Sequence, residues 1–297
     1  MDEIRFANAG DIKSQKAIWK HCFGDQDSYI DQYYSKKYRM EETLLLLKDG
    51  EISAMLTILP AKVVTPDNKS IASSILYAIA THPKHQNKGL ASQLIDFTGH
   101  HLSLTNKSVS LLVPASKQLF EFYHKLGYTE AFYIREVLLS NAQILSIKIQ
   151  DQCTCKIKPA IPQEYNQIRD NLLMGKLYVS YTDELTTYQK IISQESGADI
   201  YKIEHDDIQS CAVLERYTSD KVIIKELLCP DNHSDMIIKQ LAHTFPAKEY
   251  ILRTPAFSGE RYGGRVRPFA MFKKHLDVGI NSEIAFETLG YLGLAFD

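Results

Sequence analysis

Ala78-Ile79-Ala80-Thr81-His82-Pro83-Lys84-His85-Gln86-Asn87-Lys88-Gly89-Leu90-Ala91-Ser92 is the stretch on which the fold turns. An apolar strand runs into a proline-containing turn, and Q-x-x-G-x-A then opens an amphipathic helix. The first N–H groups of a helix have no partner within it, and the helix dipole favours negative charge there. Small residues at Gly89 and Ala91 would let a diphosphate approach the backbone, and Lys88 adds a mobile positive charge. The strand before and the helix after are the context a pyrophosphate-binding loop requires, whereas the six-residue pattern alone recurs by chance. Neither G-x-G-x-x-G nor G-x-x-x-x-G-K-[ST] occurs, which disfavours a dinucleotide or nucleoside triphosphate.

Upstream, Ile4–Phe6 reads as a short strand, Asp11 opens a helix carrying Ile12, Ile18, Trp19 and Phe23, and a polar–aromatic stretch runs from Asp27 to Tyr38. Thr43–Leu47 and Ile52–Leu59 flank Asp49-Gly50, a hairpin signal that predicts antiparallel sheet. Ser70–Thr81 is a further strand. Downstream, Leu90–Leu102 has helical spacing, Val109–Val113 is a buried-type strand, and Leu119–Leu126 is helical with Gly127 at its C-cap. Strands Phe132–Ile134 and Val137–Leu139 close the unit near residue 140.

The second half repeats this order. IKPAIPQEYNQIRDNLL from Ile157 parallels IRFANAGDIKSQKAIW from Ile4. Ile200–Ile203 and Ile208–Leu214 around His205-Asp206-Asp207 mimic the earlier hairpin. The stretch from Lys221 parallels the one from Ser73, and Glu249–Ala256 matches Ser108–Ala115. The expected organisation is α+β: two modules, 1–141 and 156–297, each a mixed, mostly antiparallel sheet flanked by helices. In place of the cradle the second copy reads Asn232-His233-Ser234-Asp235-Met236-Ile237, where Asp235 would repel a phosphate and Ile237 would crowd one. This module is expected to be degenerate.

The cradle resembles the signature of the GNAT superfamily of N-acetyltransferases, [Q/R]-x-x-G-x-[G/A] after a strand. A second block supports the resemblance: SLLVPA, then SKQLFEFYHKLGYTEA from Ser116, in which Phe122-Tyr123-His124-Lys125-Leu126-Gly127-Tyr128 is similar to the family's aromatic-Tyr-x-x-x-Gly-[Phe/Tyr] ending. The resemblance implies acetyl-CoA as co-substrate, its pyrophosphate held along Gln86, Asn87, Lys88, Gly89, Leu90, Ala91 and Ser92. The pantetheine arm would lie along Ile79, Ala80 and Thr81, with a backbone N–H of that strand meeting the oxyanion. Tyr123 would be the proton donor to the departing thiolate. Ser116 stands where many members carry an asparagine touching the cofactor; it could do the same or cap the helix.

The doubled layout resembles tandem acetyltransferases of the enhanced-intracellular-survival type, in which the polypeptide's terminal carboxylate enters the first active site; this chain is too short for their third, sterol-carrier-like domain. That likeness places Asp297, at the end of the apolar tail Gly290–Asp297, near the N-terminal site as a base or amine-positioning group.

A formal net charge of -2 from 34 Lys+Arg and 36 Asp+Glu gives no global reason to expect nucleic acid or an anionic membrane as partner. Hydrophobic residues at 44% and charged residues at 24% suit a packed globular chain. The start, MDEIRFANAGDIKSQ, lacks a signal pattern and no apolar run reaches a membrane-spanning length, so a cytoplasmic location is expected. Cys22, Cys153, Cys155, Cys211 and Cys229 read as reduced thiols, and no metal is expected. Arg261–Pro268 is the densest basic run, either an anion site or a solvated loop. The reading is an N-acetyltransferase acting on a primary amine of a small molecule or peptide. The alternatives are a non-catalytic acyl-CoA-binding or regulatory protein, and an aminoacyl transferase that would need a basic groove. Oligomeric state is not legible.

Overall fold

The computed structural model of the 297-residue chain describes residues 2–149, 154–276 and 289–296. Its contacts resolve two compact units. Unit 1 holds residues 2–63, 70–129 and 271–276; unit 2 holds 64–69, 130–149, 154–270 and 289–296.

In chain order the elements begin with β1 (Glu3–Phe6), α1 (Ile12–Phe23), α2 (Asp27–Lys36), β2 (Thr43–Lys48), β3 (Glu51–Val64), β4 (Ser70–Thr81), α3 (Leu90–Leu104), β5 (Val109–Leu112) and α4 (Lys117–Lys125). They continue with β6 (Thr129–Ser140), α5 (Asn141–Ser146), β7 (Lys156–Pro159), α6 (Pro162–Leu173), β8 (Tyr178–Tyr181), α7 (Asp183–Glu195), β9 (Ile200–His205) and β10 (Ile208–Thr218). The last are β11 (Lys221–Leu228), α8 (Ser234–Thr244), β12 (Glu249–Pro255) and β13 (Arg265–Lys274).

Local chemistry accounts for the boundaries that place the site. Asp49 and Gly50 hold φ of 50 and 83, the left-handed pair that a tight hairpin turn between β2 and β3 demands. α4 starts at Ser116, whose Oγ accepts the Leu119 N–H, and Gly127 beyond its end has φ 83. In unit 1 the strand order is β1-β2-β3-β4-β5, followed by the end of β13. β4 and β5 are parallel; β1–β2, β2–β3 and β5–β13 are antiparallel. One core joins Leu44, Leu46, Leu56 and Leu76 of the sheet to Leu90 and Leu94 of α3 and to Tyr123 and Tyr128, all buried.

Unit 2 repeats the plan. β9–β10 and β10–β11 are antiparallel, β11–β12 are parallel, and β6 lies antiparallel beside β12. Its core gathers Leu214, Val222, Ile224, Ile237, Leu241, Tyr250 and Leu252. The α+β reading of two similar modules with mostly antiparallel sheets is therefore what the chain forms.

The expected division, 1–141 and 156–297, follows the chain; the contacts group residues across it, with Met271–Lys274 paired to Leu112–Val109 inside unit 1 and Ile134–Ser140 paired to Pro255–Glu249 inside unit 2. One expectation needs correcting. The two short strands expected at 132–134 and 137–139 are one strand, β6. Arg135 and Glu136 break the apolar pattern without breaking the strand, because both are satisfied laterally. Arg135 donates to the carbonyls of Ala256, Ser258 and Gly263, and Glu136 accepts from Arg253 at 2.7 Å and Arg267 at 3.0 Å.

Candidate active site

β4 and β5 run side by side only from Ser73↔Val109 through Ser74↔Ser110 to Ile75↔Leu111. β4 then continues to Thr81. Strand alternation fails here, with Tyr77, Ala78 and Ile79 all half-buried in succession, and Ala78 adopts φ 49. A left-handed, non-glycine residue inside a strand twists the chain and frees backbone groups from the ladder. Past the last paired rung, β4 carries Ile79, Ala80 and Thr81 with no partner strand on the β5 side among the described residues. Sequence reading treats Ser70–Thr81 as a regular strand, because Tyr77-Ala78-Ile79-Ala80 is an uninterrupted apolar run and the kink shows only in backbone angle and burial.

Beyond Thr81, Pro83–His85 form a 3-10 turn capped by His82, whose Nδ1 accepts the Lys84 N–H at 3.3 Å. Asn87 and Gly89 then hold φ of 60 and 77 and swing the chain into α3. The intrahelical ladder of α3 opens with Gln93 N–H to Gly89 O at 3.1 Å, so the amides of Leu90, Ala91 and Ser92 precede it without a helical partner. A Cβ at Gly89 would meet nothing within 4 Å. Its need for glycine is thus set by φ, and the space beside it is open to a ligand.

The polar side chains of the loop mostly brace it. Gln86 Nε2 donates to Thr81 O at 3.1 Å, and Lys88 Nζ donates to Lys84 O at 2.9 Å. Cys22 Sγ donates to the same Thr81 oxygen at 3.2 Å, and burial raises its thiol pKa, so it is a quiet structural group. His82 is held below the usual histidine range by burial and then by the charges of His21, His85 and Lys84. Ser116 caps α4, which spends its hydroxyl on the Leu119 N–H at 3.4 Å. His101 packs on Phe6, away from the loop.

Tyr123 sits on α4, 6% exposed, in the same core cluster as Leu76 of β4, Leu90 of α3 and Leu112 of β5, with Ile79 packed against that cluster. Tyr123 thus shares one buried core with residues of β4, α3 and β5. Among the described residues its hydroxyl has no hydrogen-bond partner, and burial alone pushes its pKa up to about 12. It is a protonated phenol over the whole physiological range.

Unit 2 uses its equivalent positions differently. β11 and β12 also pair over a short parallel stretch, Lys221↔Glu249 to Ile224↔Leu252, before β11 runs on to Leu228. The N-terminus of α8, however, is met by the chain's own groups. Asp235 accepts from the Tyr262 hydroxyl at 2.5 Å and from Arg261 at 3.0 Å, and Tyr262 also donates to or accepts from Ser234 Oγ at 2.7 Å. Of the basic run 261–268, Arg261 and Arg267 are thus held inside unit 2, Arg267 by Glu136 at 3.0 Å, while Arg265 is exposed.

The apolar tail is also packed within unit 2. Tyr291, Leu292, Leu294 and Phe296 are fully buried, and Arg169 donates to Leu292 O at 2.8 Å. Asp297 lies outside the described residues, as does Cys153. Among the described residues no group of three or more His, Cys, Asp and Glu side chains is placed to hold a metal ion, and no helix is long and apolar enough to cross a membrane.

Residues 3–131 match the acetyltransferase (GNAT) domain family. No protein of curated function matches the sequence. Similar solved structures cover nearly the whole chain. A GCN5-related N-acetyltransferase of Anabaena variabilis is 16% identical with a TM-score of 0.71, over 93% of this chain and 73% of that one. One from Kribbella flavida is 10% identical with a TM-score of 0.72, over 93% and 72%. Eis1 of Mycobacterium abscessus is 11% identical with a TM-score of 0.67, over 92% and 74%. At such identities the likeness is one of fold, and it extends through both modules.

Proposed function

We propose that this chain, which carries a GNAT acetyltransferase domain over residues 3–131, moves the acetyl group of acetyl-CoA directly to a primary amine of a small molecule or peptide. The observation that carries the reading is the parting of β4 from β5 after Ile75↔Leu111, directly ahead of the unfilled N-terminus of α3. Main-chain amides of Gly89, Leu90, Ala91 and Ser92 would hold the diphosphate, aided by the α3 dipole. The pantetheine amides would pair with backbone groups of Ile79 and Ala80 on the β5 side and, in competition with Gln86 and Cys22 for its carbonyl, of Thr81. The thioester would then lie beside the kink at Ala78, with a backbone N–H of this strand meeting the charge that develops on the carbonyl oxygen.

The amine nitrogen attacks the carbonyl carbon, the C–S bond breaks, and the thiolate takes a proton. Tyr123 supplies it in this reading. A phenol at about 12 is a weak acid for this task but is never found ionised at neutral pH, and it gives up its proton only as negative charge gathers on sulfur. The acceptor's ammonium must lose one proton to solvent or a base before its nitrogen can attack, and the nitrogen loses a second as the amide forms; that second proton restores the Tyr123 phenol. Asp297 belongs to the proposal as the group that positions or deprotonates the amine, and full activity after deletion of Asp297 would remove it.

The test is a thermal-shift titration with acetyl-CoA, followed by thiol release in the presence of amines. Binding of acetyl-CoA should stabilise the wild-type protein, and Gly89→Glu should abolish the shift; any side chain at φ 77 is strained and lowers the unliganded melting temperature, so Gly89→Ala, which carries the same strain without the charge, is the control that should keep a shift. Thiol release that depends on an added amine, and that drops about a hundredfold in Tyr123→Phe, supports the enzyme. A shift without amine-dependent release identifies a binding protein instead and rejects the proposal.

A further inference from the structure

Beneath Tyr123 lies a polar chain with no evident need of water or solvent. The Tyr128 hydroxyl and Ser110 Oγ are 2.7 Å apart, and Ser110 Oγ is 2.8 Å from His275 Nε2. Tyr128 is 1% exposed and Ser110 is fully buried. The arrangement in which both hydroxyl hydrogens find an acceptor runs from Tyr128 O–H to Ser110 Oγ and from Ser110 O–H to His275 Nε2, which requires a neutral imidazole. Burial, and then the charge of Lys273, hold the His275 pKa at about 4, so that state prevails at physiological pH.

The position of this chain sets it apart from ordinary core satisfaction. Ser110 is the residue of β5 that faces Ser74 of β4, within the three rungs where the strands still pair. Lys273 of β13 faces it from the other side. It therefore lies at the crotch from which the opening diverges. Tyr128 reaches Tyr123 twice: its N–H donates to the Tyr123 carbonyl at 3.1 Å, and the two rings meet edge to face, centroids 5.9 Å apart at 66°. His275 is itself wedged. Its backbone N–H donates to Ser108 O at 2.8 Å, and a Cβ at Gly99 of α3 would come within 2.9 Å of its ring. The other charged groups facing this chain are Lys273, whose Nζ is 5.9 Å from the centre of the Tyr128 ring, and Asp96, 3.8 Å from that Nζ.

Packing alone would be served by a phenylalanine and an alanine at 128 and 110, because an apolar pair leaves nothing to desolvate. A directional hydrogen-bond chain instead selects one ring orientation. We propose that His275, Ser110 and Tyr128 act as positioning residues, a relay that fixes the Tyr123 ring relative to the point where β4 and β5 part. The proposal rests on Tyr123 being the proton donor to the thiolate. It also gives a role to residues 271–276, which complete unit 1 from far along the chain.

The test is a double-mutant cycle on thiol release from acetyl-CoA, with spermidine as the acceptor. Tyr128→Phe and Ser110→Ala should each lower kcat about tenfold while the KM for acetyl-CoA stays within about twofold, and Ser110→Thr, which keeps the hydroxyl, should recover most of the rate. In a Tyr123→Phe background neither change should cost more, because the relay acts only through that phenol. Losses that multiply in that background overturn the relay. A Tyr123→Phe variant as active as wild type overturns instead the role of Tyr123, and the relay is then decided by tyrosine ¹³Cζ NMR, with the Tyr123 signal assigned by its absence in Tyr123→Phe. A titration near 12 in wild type that moves toward 10 in Ser110→Ala shows that the relay holds the ring in its buried place; an unmoved titration refutes it.

Discussion

Ala78 and Gly89 share left-handed backbone, φ 49 and φ 77, and the segment between them is the one that would lie along a coenzyme. Only one of them is glycine. An L-residue in that region costs roughly 1–2 kcal/mol, so Ala78 stores strain where β4 leaves its partner. Ala78→Gly should therefore keep or raise stability, by up to about 1 kcal/mol against the entropy that glycine adds to the unfolded chain. Ala78→Val, β-branched and stiff, should lower it by about 2 kcal/mol. Urea unfolding of the two variants orders them, and a valine variant as stable as the glycine one would show that the kink is not strained.

Stability below neutral pH should depend on His275. Its folded pKa lies at about 4 against 6.5 for the free side chain, so between those values the unfolded chain binds more protons than the folded one. The contribution is complete above about pH 6.5 and drains away as pH falls toward 4. The ring is only partly buried, so the sum is set at about 1–2 kcal/mol. His275→Gln should flatten that part of the stability curve, measured by urea unfolding at pH 7 and pH 5. An equal pH 7-to-5 loss in both proteins would contradict the assignment.

The turn and the start of α3 were legible from sequence because their chemistry is local: proline, glycine and the first helical turn are neighbours in the chain. The order of strands and helices followed from periodicity, and β4 was bounded at Ser70 and Thr81 as the structure has it. What could not be read depends on pairing partners. Nothing in Met271–Lys274 announces that it pairs with β5, and the hydrogen bond between His275 and Ser110 joins residues that no local pattern connects. That Ile79, Ala80 and Thr81 would lie along a coenzyme was expected only through family resemblance, and the parting of β4 from β5 was not legible, because an apolar run looks alike with or without a neighbour. Lys88 and Gln86 were read as ligand-facing, yet their nearest acceptors are carbonyls of their own loop, which compete for them in the unliganded chain.

In unit 2, Arg169 and Glu226 form an ion pair with neither partner open to water. Arg169 Nε lies 3.0 and 3.1 Å from the two carboxylate oxygens, Nη1 donates to Val179 O and Nη2 to Leu292 O. The Tyr165 hydroxyl donates to Glu226 at 2.6 Å. Removing one charge strands the other in the interior, so Glu226→Gln or Arg169→Met alone should cost about 3–5 kcal/mol. The double variant should be less damaged than the sum of the singles, a coupling read from a thermodynamic cycle in urea. Strict additivity would mean that the pair is not coupled.

Gly293 ties this pair to the tail. Its φ is +87, and a Cβ there would fall 2.5 Å from Glu226 Oε2 and 2.8 Å from the Tyr291 ring. Neither neighbour can withdraw: the carboxylate is gripped by Arg169 and Tyr165, and Tyr291 is fully buried. Gly293→Ala therefore has to displace the tail itself, releasing Leu294 and Phe296 from the interior, where each is fully buried and each is worth about 1.5–3 kcal/mol. The Leu294 N–H, which donates to the Tyr181 hydroxyl at 3.2 Å, is the reporter. In the wild type its hydrogen exchange should be as slow as that of core strands, and in Gly293→Ala it should approach the rate of a free chain while amides of β10 remain protected. Retained protection of Leu294 in the alanine variant would show that the tail tolerates a side chain at that position, and that its burial does not depend on the gap that glycine leaves beside Glu226.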